Sequence, residues 1–271
     1  MDPRNQFNLR YPRSNKINMT KISLITGATS GIGKACAERF AKEGYNVIIT
    51  GRRDERLQSL KKELENAFNI EVHPLSFDIR EREAVEKAVT SLPENWQKVD
   101  VLVNNAGLAL GLSPIHEGNT DDWDTMIDTN IKGLLYISKQ VANLMVKNGH
   151  GHIIHIGSIA GRESYANGNV YCATKHAVDG LTKAMRIDLL PHNIKVTQIA
   201  PGAVETEFSE VRFKGDKQRA AGVYNGFKPL TGTDIADAVY YAASLPLHVN
   251  INDLLIMPMA QANATTIDRR N

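Results

Sequence analysis

The sequence predicts an α/β fold in which a single doubly wound domain carries helices on both faces of a seven-stranded parallel sheet. Two observations lead to this prediction. Short apolar runs alternate from Ile22 onward with longer stretches of helical period. The composition, 42% hydrophobic and 23% charged, is that of a globular chain. Strands that alternate with helices are typical of βαβ units, whose strands are parallel and buried on both faces.

Each predicted element follows from its own pattern. The intervening stretches show the i, i+3, i+4, i+7 spacing of an amphipathic helix, as at Leu57, Leu60 and Leu64. Further helices are expected from Lys34 and from Thr120. The apolar runs with the length of buried strands are Ile22–Thr26, Val47–Thr50, Val72–Phe77, Val99–Val103, Ile153–Ile156, Ile194–Ile199 and Leu254–Met257.

Residues 1–19 differ from the rest of the chain. They hold four basic residues and one acid, without the apolar stretch of a secretory signal. A transit peptide is the alternative, but the apolar residues form a poor helical stripe. We expect a leader that is disordered or was added for expression, followed by one domain over residues 20–271.

The composition excludes several classes of protein. Lys and Arg number 32 and Asp and Glu 30, and a net charge of +2 argues against a general nucleic-acid binder. No apolar run is long enough for a transmembrane helix, so no membrane partner is expected. Cys36 and Cys172 are too few for a disulfide framework, which favours a reducing, cytoplasmic location. His150, His152 and His155 lack a neighbouring acid or cysteine cluster, so no metal site is predicted.

A glycine-rich motif, Thr26-Gly-Ala-Thr-Ser-Gly-Ile-Gly33, joins the first predicted strand to the first helix. Glycine permits the tight turn, and its missing side chain lets a pyrophosphate approach the helix N-terminus. This context favours a Rossmann-type dinucleotide site over an ordinary βα turn. The residues predicted to bind the cofactor here are Gly27, Thr29, Ser30, Gly31, Ile32 and Gly33.

The end of the second strand indicates which dinucleotide binds. An NAD site places an acid about 20 residues after the glycines, on the ribose 2′-hydroxyl. Arg52 and Arg53 occupy that place here. A guanidinium group pairs with phosphate oxygens, so the two arginines predict NADP(H). Two solvated arginines are the alternative, with Asp54 as a weaker candidate for the NAD acid.

The glycine motif is the first of five motifs in a fixed order. The others are Asn104-Asn-Ala-Gly107, Ser158, Tyr171-x-x-x-Lys175 and Pro201-Gly202. The ordered set resembles the classical short-chain dehydrogenase/reductases over essentially all of residues 20–271. This resemblance implies further cofactor contacts at Asp78, Ile79, Asn105, Ala106, Gly107, Pro201, Gly202, Val204 and Thr206.

Tyr171 and Lys175 lie on one face of a predicted helix. A lysine ammonium and an oxidised nicotinamide ring would lower the pKa of tyrosine from its ordinary value of about 10. Tyr171 would then exchange a proton with the substrate oxygen as hydride moves to or from the cofactor. The resemblance implies that Ser158 positions that oxygen, that Lys175 also holds the nicotinamide ribose, and that Asn130 supports a proton relay.

Longer strings, among them residues 102–111, 205–209 and 248–252, resemble the NADP-dependent 3-hydroxy acid dehydrogenases. This subfamily implies L-allo-threonine, serine or 3-hydroxypropionate as substrate, and a homotetramer. A substrate carboxylate needs a cation, for which Arg162 and Arg212 are the candidates. Both could instead be solvated. A broader carbonyl or 3-ketoacyl reductase stays open as the alternative function, and a non-catalytic NADP-binding sensor is a further one.

Overall fold

A computed structural model describes residues 20–270 of the chain. The prediction for residues 1–19 lies outside them. The main sheet has seven strands, β1 (Ile22–Ile25), β2 (Asn46–Gly51), β3 (Val72–Ser76), β4 (Val99–Asn104), β5 (Gly151–Ile156), β6 (Ile194–Pro201) and, after two short strands, β9 (Asp253–Ile256). Their order is β3-β2-β1-β4-β5-β6-β9, and all neighbouring pairs are parallel. The predicted seven-stranded parallel sheet is therefore confirmed.

Helices cover both faces of this sheet. They are α1 (Gly31–Lys42), α2 (Asp54–Ala67), α3 (Arg82–Thr90), α4 (Thr120–Ile127), α5 (Leu134–Asn148), α6 (Asn169–Leu189), α7 (Phe208–Arg212), α8 (Lys217–Gly222) and α9 (Gly232–Ser244). A π-helical stretch, Asp128–Gly133, joins α4 to α5, and short 3₁₀ turns lie at Glu94–Trp96, Ile115–Glu117, Ile159–Gly161 and Leu190–His192. Within residues 20–270, no helix is both long enough and apolar enough to cross a membrane.

The sheet and its helices pack together through two hydrophobic cores, one on each face of the sheet. Successive strand residues point to opposite faces, so Leu24 belongs to one core and Ile25 to the other. The predicted apolar stripe of α2, with Leu57 as its first member, is buried in the core that also holds Phe40 of α1. The other core holds Ile137 of α5. Both cores bury the strands, whose carboxyl ends form one edge of the sheet.

The strand order reverses at β1 and β4: strands β2 and β3 are added on one side of β1, and β4 is added on its other side. In open α/β sheets, ligands bind in the crevice beyond the carboxyl ends of the strands at such a switch point. The glycine motif follows β1, and Asn104 ends β4. The topology thus brings the first two motifs to one place.

Two local features differ from the sequence prediction. Helix α1 begins at Gly31 rather than at Lys34, because two of the motif glycines form its first turn. The segment after β6 contains two short parallel strands, β7 (Val204–Glu205) and β8 (Leu230–Thr231), which the sequence did not predict. We call residues 204–231, with α7 and α8 between these strands, the cap segment.

Candidate active site

A cleft with a volume of about 500 Å³ lies at the carboxyl edge of the sheet. Its walls include the predicted catalytic residues Ser158, Tyr171 and Lys175, together with Arg212. The predicted cofactor residues that line it are Gly27, Thr29, Ser30, Gly31, Ile32, Arg52, Arg53, Asp78, Ile79, Asn105, Ala106, Gly107, Tyr171, Lys175, Pro201, Gly202, Val204 and Thr206. The predicted site residues outside this lining are Gly33, Asn130 and Arg162. The fold therefore gathers most of the predicted residues into one cavity.

The glycine loop has the shape that a bound pyrophosphate needs. Gly27 and Gly31 have φ of +66° and +53°, a region that favours glycine. A Cβ atom on Gly33 would collide with the carbonyl oxygen of Gly27. The amide of Asn105 donates to the backbone oxygens of Thr26 and Gly27, at 2.9 and 3.2 Å. The loop thus presents backbone atoms at the N-terminus of α1, where an anion is stabilised.

Thr26 joins the ends of β1 and β4. Its Oγ1 accepts hydrogen bonds from the backbone nitrogens of Asn105 and Ala106, at 3.0 and 2.9 Å. A Cβ atom on Gly107 would lie 3.2 Å from Oδ1 of Asn130. The Asn-Ala-Gly segment therefore holds two loops in register as well as lining the cleft.

Strand β5 and helix α6 position the catalytic group. Ser158 follows β5, and its Oγ accepts from the backbone nitrogen of Ala160 at 3.1 Å. Lys175 donates from Nζ to the carbonyl oxygen of Ile156 at 2.9 Å. Its Nζ lies 6.0 Å from the centroid of the Tyr171 ring. The helical spacing of four residues therefore places Tyr171 and Lys175 beside each other and close to the end of β5.

Burial is the largest influence of the protein on the pKa of Tyr171. Burial raises the pKa of its phenol above the ordinary value, while Arg212 and the Ser158 hydroxyl act to lower it. Burial also lowers the pKa of Lys175 to about 8. The predicted lowering of the tyrosine pKa includes the charge of an oxidised nicotinamide ring, so it stays a prediction for the loaded site, whereas burial dominates among the protein groups.

Asn130 lies in the π-helical stretch Asp128–Gly133 and is buried behind the cleft. Its Oδ1 accepts from the Leu108 nitrogen at 2.8 Å. Its Nδ2 donates to the Leu108 oxygen at 2.8 Å and to Oγ1 of Thr174 at 3.0 Å. Such π-helical turns are frequent at functional sites. These bonds connect the loop after β4 to α6, so Asn130 holds the wall that carries Tyr171.

Arg212, at the end of α7, occupies an aromatic cage. Its guanidinium carbon lies 5.0, 5.3 and 5.9 Å from the ring centroids of Tyr171, Phe208 and Tyr165. One terminal nitrogen donates to the hydroxyl of Tyr165 at 2.7 Å. Its Nε is buried without a hydrogen-bond partner among the described residues. A caged cation with a spare donor beside Tyr171 can bind an anionic group of a substrate.

The other predicted carboxylate anchor lies elsewhere. Arg162, after the 3₁₀ turn Ile159–Gly161, forms an ion pair with Asp253 of β9 and does not line the cleft. Lys214, also considered from the sequence, pairs with Asp122 at 2.9 Å. These ion pairs leave Arg212 as the candidate anchor.

Among the lining residues that the sequence reasoning missed are Tyr165, Phe208 and Gln261. Tyr165 and Phe208 form the cage around Arg212, and Gln261 reaches the cleft from the C-terminal part of the chain. The Gln261 side chain accepts a hydrogen bond from the Ala203 nitrogen at 2.8 Å. Periodicity and motifs carry no signal for these residues, because their positions depend on contacts distant in sequence.

At the opposite end of the cleft lie the predicted phosphate ligands. A nitrogen of Arg52 is 3.9 Å from a carboxylate oxygen of Asp78, and 61% of the arginine side chain is exposed. Burial would raise the pKa of Asp78, but hydrogen bonds and charge from Arg80, with the charge of Arg52, hold it below the ordinary value. Arg53 instead donates to Oγ1 of Thr29, at 3.1 and 2.7 Å. The two neighbouring arginines therefore have different surroundings.

The histidines of β5 have structural contacts. His152 bonds to the Thr197 hydroxyl at 2.7 Å, and His155 to that of Thr182 at 2.8 Å. Burial lowers the pKa of both imidazoles to about 3, so both are neutral near pH 7. In the part of the chain that the structure describes, no three His, Cys, Asp or Glu side chains are grouped as metal ligands.

A comparison with protein families supplies the deciding observation. The family model described as short chain dehydrogenase matches residues 21–217. The chain belongs to the short-chain dehydrogenase family. This result confirms the resemblance inferred from the ordered motifs, and it agrees with the sheet order and with the cleft at the switch point.

Individual members of the short-chain dehydrogenase family are also similar. The NADP-dependent 3-hydroxy acid dehydrogenase YdfG of Salmonella typhi is 51% identical over 245 residues, which cover 90% of this chain and 97% of the relative. The serine 3-dehydrogenase of Agrobacterium fabrum is 45% identical, with 91% and 97% covered. A solved structure, the closed form of a serine dehydrogenase complexed with NADP⁺, is 49% identical, with a TM-score of 0.85 and 92% and 100% covered.

Proposed function

We propose that this short-chain dehydrogenase interconverts small 3-hydroxy acids and their 3-oxo forms with NADP(H), through one catalytic domain over residues 20–271. The observation that carries the proposal is the half-buried guanidinium of Arg212, which lies 5.0 Å from the centroid of the Tyr171 ring and whose Nε has no described hydrogen-bond partner. The names of the similar proteins support the same substrate class and the same cofactor.

The residues present fit a dinucleotide. The close packing of Gly33 on Gly27 keeps the glycine loop tight, so that Thr29, Ser30 and Gly31 line the cleft at the N-terminus of α1, where a pyrophosphate would be stabilised. Arg52, exposed at the end of β2, would pair with the 2′-phosphate, while Lys175 and Thr206 line the nicotinamide end of the cleft. When bound, NADP(H) would accept or supply the hydride.

The chain's own residues handle the proton and the substrate oxygen. Tyr171 takes the hydroxyl proton during oxidation and returns it to the carbonyl oxygen during reduction. The Ser158 hydroxyl holds that oxygen in place. Lys175, fully enclosed, provides a positive charge beside the phenol, and Asn130 holds α6 and the loop after β4 in register. The site thus orients the reacting carbon and controls one proton.

The substrate class follows from the short distance, 5.0 Å, between the Arg212 guanidinium carbon and the centroid of the Tyr171 ring. In a 3-hydroxy acid the carboxylate is two bonds from the hydroxyl-bearing carbon, so both groups can reach Tyr171 and Arg212 together. A neutral ketone offers the Arg212 guanidinium no charged acceptor, whereas a carboxylate can accept from its unpartnered Nε and its remaining N–H donors. A carboxylate-bearing substrate is therefore favoured over the broader carbonyl reductase that stays the alternative.

Initial rates of NADP⁺ reduction with L-allo-threonine and with serine, with NAD⁺ in parallel, test the proposal. We expect a rate with NADP⁺ and little with NAD⁺. Reduction of neutral ketones with NADPH, without a rate for either hydroxy acid, would instead establish the broader carbonyl reductase.

The homotetramer and the cytoplasmic location belong to the same proposal. Large apolar side chains exposed at Ile187, Leu190 and Leu247 support burial against further copies of the chain. Two buried, unpaired cysteines support a reducing compartment. Sedimentation velocity at micromolar concentration tests the first, since a monomer would contradict it, and cell fractionation tests the second.

A further inference from the structure

The phosphate end of the cleft contains two arginines and one carboxylate, Arg53, Arg56 and Glu207, whose contacts the proposed function does not use. We infer that Arg52 and Arg53 have different tasks: Arg52 faces the 2′-phosphate, whereas Arg53 joins the glycine loop to the cap segment. Arg53, Arg56 and Glu207 form what we call the ionic lock, which holds the two walls of the cleft together whether or not the dinucleotide carries the 2′-phosphate. This inference rests on the proposed function only in that the ligand is a nicotinamide dinucleotide.

The contacts of Arg53 engage all three of its guanidinium nitrogens. Its Nε and Nη2 donate to Oγ1 of Thr29, at 3.1 and 2.7 Å, and Nη2 also donates to Oγ of Ser30 at 3.0 Å. Its Nη1 donates to Oε2 of Glu207 at 3.1 Å. Since these bonds use most of its five N–H donors, Arg53 has little capacity left for a phosphate.

Glu207 connects the cap segment to this arginine pair. Nη1 of Arg56 donates to both of its carboxylate oxygens, at 2.9 and 3.2 Å. Burial alone would raise the pKa of Glu207, but hydrogen bonds from Arg53 and Arg56 hold it below the ordinary value. Glu207 directly precedes α7, the helix that ends at Arg212. The lock therefore reaches from the cofactor loop to the helix that carries the substrate anchor.

A second contact lies beside the lock. A Cβ atom added to Gly31 would lie 3.1 Å from the Cβ of Thr206, so the cap segment packs closely on the glycine loop at this point. Both Arg53 and Glu207 line the cleft, although 154 residues separate them in sequence. The ion pair therefore joins opposite walls of the cofactor cleft.

Arg52, unlike Arg53, is largely exposed and weakly paired. Its side chain is 61% exposed, and within residues 20–270 its ion pair is the long contact of 3.9 Å with Asp78. A loosely held guanidinium can reorient towards a phosphate at small cost. Arg52 should therefore decide between NADP(H) and NAD(H), whereas the ionic lock should retain both dinucleotides equally.

Fluorescence titrations with NADPH and with NADH separate these tasks. The variants are Arg52→Met, Arg53→Met and Glu207→Gln, with Glu210→Gln on the same helix as the matched control. An exposed ion pair contributes modestly, so we expect Arg53→Met and Glu207→Gln to raise both dissociation constants by about two- to fivefold, with their ratio unchanged. Arg52→Met should raise the dissociation constant of NADPH by about tenfold and leave that of NADH unchanged.

Two results of these titrations would overturn the inference. If Arg53→Met weakened NADPH binding and spared NADH, Arg53 would be a phosphate ligand. If Glu207→Gln tightened NADPH binding, Glu207 would compete with the phosphate for the arginines. The wild-type titration itself reports whether a dinucleotide binds, so a failure of the proposed function is seen separately.

Limited trypsin digestion tests the lock with no dinucleotide present. The cap segment offers cleavage sites at Arg212, Lys214, Lys217 and Arg219, and Glu207→Gln changes none of them. We expect this variant to be cleaved in the cap segment about two- to fivefold faster than the wild type, and Glu210→Gln at the wild-type rate. Equal cleavage of Glu207→Gln and the wild type would contradict the inference.

Discussion

Replacement of Arg212 tests the proposed substrate class most directly. In Arg212→Met, an unbranched apolar side chain stays among the rings of Tyr165, Tyr171 and Phe208, but the charge and the donors are lost. We expect the variant to fold and to lose its preference for carboxylate substrates, because a substrate carboxylate would enter an enclosed site without a cation.

The size of the effect follows from the contacts. Among the described residues, the Arg212 side chain donates a hydrogen bond to the Tyr165 hydroxyl at 2.7 Å and its buried Nε has no partner, so donors stay available for a carboxylate. Removing one member of such a charge pair costs about 2–5 kcal/mol. A loss of about 3 kcal/mol corresponds to a fall in kcat/KM of about 100-fold. Arg212→Lys keeps the charge but loses the planar guanidinium group, and its kcat/KM should fall about tenfold.

The assay compares two substrates on each variant. Steady-state kcat/KM is measured with L-allo-threonine and with a neutral secondary alcohol of similar size. Arg219→Met is the matched control, because Arg219 lies in the same cap segment, packs 4.3 Å from the Phe213 ring and does not line the main cleft. We expect the control to behave as wild type with both substrates.

Two outcomes would refute this reasoning. An equal loss for the acid and the alcohol would mean that Arg212 maintains the cage rather than binding the carboxylate. Unchanged kinetics with the acid would place the anchor elsewhere in the cleft.

Three further predictions concern the buried groups. Gly33→Ala should lower the free energy of unfolding by about 2–3 kcal/mol and weaken NADPH binding, because the added methyl group meets the Gly27 oxygen. Urea unfolding measures the stability, and Gly180→Ala is the control, because the space around Gly180 is open. Asn130→Ala should lower the free energy of urea unfolding by about 2–3 kcal/mol and also lower kcat, because the backbone nitrogen and oxygen of Leu108 lose their hydrogen bonds to the amide. Unchanged stability would contradict this. The pKa of Lys175 is about 8 in the folded protein against an ordinary value of 10.5, so the free energy of unfolding of the wild type relative to that of Lys175→Met should rise by about 2–3 kcal/mol between pH 7 and pH 10. The difference is the quantity to measure, because buried Cys36 and Tyr45, whose pKa values are raised, lower the stability of both proteins over that range. A constant difference would contradict this.

Local patterns predicted most of the fold. The seven apolar runs became the seven strands of the main sheet, because a short buried strand needs an uninterrupted apolar stretch. Leu57, Leu60 and Leu64 are buried, because helical spacing places them on one face of α2. The short strands β7 and β8 escaped prediction, because two residues carry no periodicity.

In the candidate site, too, local spacing predicted some residues and not others. The chemistry of Tyr171 and Lys175 could be predicted because four residues along a helix bring two side chains together, whatever the rest of the chain does. The two candidate anchors, Arg162 and Arg212, could not be distinguished in this way. Each is a charged residue in a segment after a strand, and residue type and spacing are similar for both.

Only the packing of distant segments separated them. Asp253 on β9 pairs with Arg162, whereas Tyr165 and Phe208 enclose Arg212 beside Tyr171. The direction of the tyrosine pKa also depends on packing, because burial is a property of the whole fold. Short-range periodicity and motif order thus sufficed for the family, the strands and the catalytic pair. The partner of each charge needed the tertiary structure, because ion pairs and aromatic cages form between residues that are far apart in sequence.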